Sequence, residues 1–94
     1  MASLRLTKRE SVLRAIAEFD RLGRDAFLEK YGFGEAREYF LLYDGNYYDS
    51  KAILGVARGH EPNSDGPLQS GEFSGGRTTV QRSLEKLGFT VVRH

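Results

Sequence analysis

The chain has 94 residues, of which 39% are apolar and 29% charged, with 14 basic and 13 acidic side chains and no cysteine. That length supports one modest core and not two, the mixed composition excludes a disordered polyelectrolyte, and the lack of cysteine excludes a disulfide framework and any Cys-ligated zinc site. No apolar run approaches the roughly 18–20 residues of a membrane span, and the opening MASLRLTKRE lacks a signal-peptide core, so we expect a soluble cytoplasmic protein with no membrane partner.

The net charge of +1 hides a pattern. Residues 1–14 carry +3, residues 15–50 carry −4 and residues 51–94 carry +2. Basic ends around an acidic middle make an electropositive face if the ends meet in the fold. Ten of the 14 bases are arginine, whose planar fork suits phosphates and base edges.

In chain order, Thr7 and Glu10 form a capping box that predicts a helix start. Val12, Ile16 and Phe19 share one helical face, with Arg14 and Arg21 on the solvated side, until Gly23. Asp25 is placed to cap a second helix carrying Phe27, Leu28 and Tyr31, stopped by Gly32, after which Phe33 turns inward. Tyr39 to Tyr43 is dense in strand formers, and Asp44-Gly45-Asn46 is turn chemistry leading to Tyr47 and Tyr48, which predicts a hairpin. Asp49 or Ser50 is expected to cap a third, mostly buried helix from Lys51 to Arg58. A loop from Gly59 to Gly71 contains both prolines and has only Leu68 to bury. A fourth helix from Arg77 places Val80, Leu84 and Leu87 on one face; Gly88 stops it, and Phe89 to Val92 is a last strand. The expected fold is α+β: about three antiparallel strands packed against about four helices, in the order α-α-β-β-α-α-β, as a single domain spanning 1–94.

Groups for catalysis are sparse. There is no cysteine nucleophile, and the two histidines, His60 and His94, lack metal-ligand spacing. Asp44 and Asp49 flank the two tyrosines, but one sits in a turn and the other at a helix start. We therefore expect no catalytic residue, no metal and no cofactor. Binding is better supported. Ser74-Gly75-Gly76 precedes Arg77, Thr78 and Thr79 at the expected start of the fourth helix, so amides, hydroxyls and a guanidinium can converge on an anion. A plain structural cap with two permissive glycines explains the same residues, and the two readings are compatible. The stretch lacks the Gly-Lys-Ser/Thr ending of a P-loop. Tyr47 to Lys51 sets aromatic, acceptor and cationic groups side by side; strand alternation turns one tyrosine inward and leaves the other to stack or hydrogen-bond.

Tyr48-Asp49-Ser50-Lys51-Ala52-Ile53, then Gly55 and Ala57, the long loop, Phe73-Ser74-Gly75-Gly76 and Leu87-Gly88-Phe89 form an ordered series across nearly the whole chain. It resembles the N-terminal head domain of modification-dependent (type IV) HNH restriction endonucleases of the ScoMcrA type. The resemblance implies an accessory module on DNA, the head of a larger endonuclease, with Tyr48 to Lys51 and Phe73 to Gly76 as the matching positions. The HNH ββα-metal motif is missing from this chain, so nuclease activity does not carry over, although the resemblance implies an HNH endonuclease as the parent.

The expected function is thus double-stranded DNA binding, with sensing of methylated or phosphorothioated DNA as the role the resemblance suggests. The residues expected to contact DNA are Tyr48, Ser50, Lys51, Arg58, His60, Asn63, Ser74, Gly75, Gly76, Arg77, Thr78 and Thr79. Other domains of the parent enzyme are the second class of partner, together with homodimerisation through that parent. Two alternatives stay open: an interaction module without DNA contact, and single-strand or RNA binding with bases stacked on Tyr47 or Tyr48.

Overall fold

The structure, a computed structural model, describes residues 8–61, 66–72 and 80–93. Within them the fold is α+β in the expected order: α1 (Arg9–Leu22), α2 (Arg24–Tyr31), β1 (Tyr39–Tyr43), β2 (Asn46–Asp49), α3 (Ser50–Arg58), α4 (Arg82–Lys86) and β3 (Thr90–Arg93), with a short 3-10 turn at Ser70–Glu72 before α4. The three strands form an antiparallel sheet in the order β2-β1-β3.

α1 buries Val12, Ala15, Ile16 and Phe19 against α3, whose buried residues run from Ser50 to Ala57. The apolar spacing of each helix predicts a buried face, and the structure sets the two against each other. Their starts are less regular than the sequence suggests. Lys8 occupies the cap of α1, one residue after Thr7, which lies outside the described residues, and the Glu10 carboxylate accepts from Arg14 one turn on. α2 starts at Arg24 with Gly23 as its cap, so the expected capping by Asp25 is corrected: Gly23, at φ +88°, turns the chain sharply enough to start the helix itself.

Two helices end in the same way. Gly32 and Gly88 both take positive φ; the amides of Phe33 and Phe89 reach back to the carbonyls of Leu28 and Leu84, and the glycine amides to Glu29 and Glu85. This left-handed closure needs a residue without a Cβ, and it delivers each phenylalanine into the core. The hairpin turn uses Asp44 and Gly45, both at positive φ, as a two-residue turn matched to the strand twist requires.

Leu41 at the centre of β1 pairs with Tyr48 on β2 and Val91 on β3, so the three point to the same face and are buried beneath the helices. The opposite face carries Phe40, Leu42 and Tyr47. The last strand is Thr90–Arg93, displaced one residue from the expected Phe89–Val92, because Phe89 belongs to the helix closure. Leu68 anchors the segment after α3: its side chain is buried and its amide donates to the Gly55 carbonyl at 3.0 Å. Gly59 closes α3 at φ −68° and is right-handed; its missing Cβ admits Pro67, whose nitrogen would stand 2.8 Å from one.

Candidate nucleic-acid interface

The stretch Tyr48-Asp49-Ser50-Lys51, of which Tyr48, Ser50 and Lys51 are expected from sequence to contact DNA, is a joint between segments. The Tyr48 hydroxyl donates to Asp20 of α1 at 2.8 Å. Asp49 accepts Nε and Nη2 of Arg24 at 2.9 and 2.8 Å, one oxygen for each, and the Ala36 amide at 2.7 Å. The Ser50 hydroxyl donates to the Tyr39 carbonyl of β1 at 2.9 Å, and Lys51 Nζ to the Ser70 carbonyl at 2.7 Å. Four successive side chains thus reach α1, α2, β1 and the 3-10 turn.

This placement changes the part several of them can play. Tyr48 is 2% exposed, with its ring edge-on to Phe19 at 5.0 Å, so it offers no free face for a base to stack on. Burial first, and then the hydrogen bond to the Asp20 carboxylate, push its phenol up to about 12. Ser50 is likewise 2% exposed and turned inward. Asp49 stands at the cap position of α3, yet its carboxylate makes no cap bond because Arg24 and Ala36 hold it elsewhere. Arg58 donates to the Gly66 carbonyl at 2.9 Å, so it and Lys51 tie the segment 66–70 along α3. Of the described candidates, His60 is the exposed one. Asn63, Ser74, Gly75, Gly76, Arg77, Thr78 and Thr79 lie outside the described residues.

Sequence reasoning missed Arg24 and Asp20, the partners of that joint. Neither carries a local signal: Arg24 is 25 residues from Asp49, and Asp20 is 28 from Tyr48.

The two basic ends do meet. Arg9 donates to the Leu87 carbonyl at 2.7 Å and its guanidinium lies 4.1 Å from the centre of the Phe89 ring, so the start of α1 is seated on the end of α4. Beyond Arg9, two adjoining surface clefts share Arg14 and His60: one reaches to Lys8, Glu10 and Ser11, the other to Glu18, Arg21 and Tyr31. Glu18 faces α2, accepting Lys30 Nζ at 2.6 Å and the Tyr31 hydroxyl at 2.7 Å. Burial by itself would raise the Glu18 carboxyl, but the hydrogen bonds from Lys30 and Tyr31 outweigh it and hold the group below its usual range, ionised at neutral pH. Among the described residues no group of three or more His, Cys, Asp or Glu is placed to hold a metal ion, and no helix is long and apolar enough to cross a membrane.

By class the chain is a small α+β domain in which the Tyr48-Asp49-Ser50-Lys51 stretch ties the helices to the sheet. Residues 5–93 match the family model described as "ScoMcrA-like, N-terminal head domain", and the chain belongs to that family. Among solved structures it is similar to the type IV phosphorothioation-dependent restriction endonuclease ScoMcrA, with 36% identity and a TM-score of 0.65. That alignment covers 95% of this chain and 13% of the endonuclease, so the chain spans about one-eighth of that relative's length. No curated protein matches.

Proposed function

We propose that this chain is a DNA-binding accessory domain of a modification-dependent restriction endonuclease, the head of a larger enzyme whose other domains read the modification and cut. The observation that carries the reading is its likeness, over 95% of its length, to the head portion of an endonuclease whose described activity depends on phosphorothioation. The meeting of the two basic ends through Arg9 and Leu87 supports a phosphate-facing surface. On this reading the domain contacts duplex phosphates, with Arg77 and the Ser74-Gly75-Gly76 turn as further contacts, while modified bases or linkages are read by the whole enzyme with the head in place. The chain itself supplies no catalytic group, acts in the cytoplasm, and has duplex DNA and the neighbouring domains of its parent as partners.

The test is a salt-dependent titration of unmodified, methylated and phosphorothioated duplexes. Binding should weaken linearly in log–log form with salt, and Arg77→Ala should reduce the slope by about one. Affinity indifferent to salt would overturn the reading.

A second reading, as an inter-domain interaction module, is favoured by one feature: Tyr47, 52% exposed, lies on the sheet face that turns away from the helices, beside Phe40. Sedimentation without DNA, comparing the wild type with Tyr47→Ser, separates the two.

A further inference from the structure

We infer that the exposed face of α1, with His60 beside it, is the track along which the phosphodiester backbone crosses this domain, and that Arg14 and Arg21 are its principal phosphate contacts. The inference rests on the DNA-binding reading above and names the surface that reading uses.

Arg14 and Arg21 are seven residues apart on a continuous helix, so they project from nearly the same face about 10 Å apart along its axis. The two clefts beside them share Arg14 and His60 and run together as one open trough, the larger part holding about 540 Å³. An open trough with Arg14, Arg21 and His60 along it suits an extended polyanion better than a small molecule, which needs enclosure. Lys8 stands in one cleft, Arg21 in the other, and Arg14 and His60 where the two join.

The carboxylates along the trough are each engaged. Glu18 is turned to Lys30 and Tyr31, and Glu61 accepts from the buried Ser11 hydroxyl. Glu10 pairs with Arg14, but both side chains are about two-thirds exposed, 67% and 62%. Such a pair is weak in water and screened by salt, so a phosphate oxygen can replace the carboxylate. Three other cations are less available: Arg9 is seated on Phe89, and Lys51 and Arg58 hold the segment 66–70. Arg37 is exposed, but it lines a separate cleft beside the start of α3.

The experiment is fluorescence anisotropy of a labelled duplex with the 94-residue chain, over a range of salt, for the wild type, Arg14→Gln/Arg21→Gln and Arg37→Gln, each first checked for an unchanged circular dichroism spectrum. The double variant should bind about tenfold or more weaker near 0.1 M salt, with a salt slope smaller by about two. Arg37→Gln should keep the wild-type slope. If the wild type binds and the double variant keeps its slope, or Arg37→Gln loses as much, the track is overturned while DNA binding stands. If the wild type binds no duplex at low salt, the DNA-binding reading falls first and takes the track with it.

Discussion

Arg24 and Asp49 form a two-pronged ion pair between the first residue of α2 and the last residue of β2, with the carboxylate 3% exposed and the guanidinium side chain 40% exposed. The pair fixes the segment between α2 and the sheet, because Asp49 also accepts from the Ala36 amide. Removing Arg24 strands a buried charge, whereas removing Asp49 leaves a cation that water can reach. Arg24→Ala should therefore destabilise by about 3 kcal/mol and Asp49→Ala by about 2, with a coupling of about 1–2 kcal/mol in a double-mutant cycle read by urea unfolding. Equal, additive losses would show the pair to be dispensable.

Tyr48 gives the fold an alkaline limit. Its phenol has a folded value of about 12 against an ordinary 10.0. The folded state thus favours the protonated form; the stabilisation is complete below 10 and is lost as pH rises from 10 through about 12. Tyr48→Phe should cost about 1 kcal/mol at neutral pH, through the lost bond to Asp20, and should flatten the fall in stability across that alkaline range. Denaturant unfolding at successive pH values, alongside phenolate absorbance, checks both.

Gly55 is needed for closeness. A Cβ there would stand 2.6 Å from the Phe33 ring and 3.0 Å from the Leu68 carbonyl oxygen. Alanine is the better helix former by about 1 kcal/mol, yet the clash should dominate, and Gly55→Ala should destabilise by about 1–3 kcal/mol. Gly34→Ala, where a Cβ meets nothing within 4 Å, is the control and should be near neutral. Thermal unfolding of the two variants gives the comparison.

Lys51 distinguishes a tie from a DNA contact. Lys51→Met keeps the aliphatic stem but removes the bond to the Ser70 carbonyl. Hydrogen exchange at Leu68, whose amide is bonded to Gly55, should quicken severalfold. DNA affinity should change little. Lost affinity with unchanged exchange would return Lys51 to the phosphate surface.

Much of this architecture is legible in the sequence because its signals are local. Gly32 and Gly88 close helices through bonds spanning five residues, and Asp44-Gly45 turns a hairpin within four; each is set by which residues tolerate positive φ. The apolar spacing of α1 and α3 likewise names the face that each buries. From these alone follow the element order, the antiparallel hairpin and most of the core.

The roles of Tyr48, Asp49, Ser50, Lys51 and Arg58 were decided only by the tertiary structure. In sequence they read as a polar, aromatic and cationic surface; in the fold they bind Asp20, Arg24, Tyr39, Ser70 and Gly66, partners 8 to 28 residues away. A side chain's polarity says that it needs a partner, not whether that partner is water, a phosphate or its own backbone. Only the packing of α1, α2, β1 and the segment after α3 around one short stretch supplies these partners within the fold, and it leaves Arg14, Arg21 and His60 at the surface.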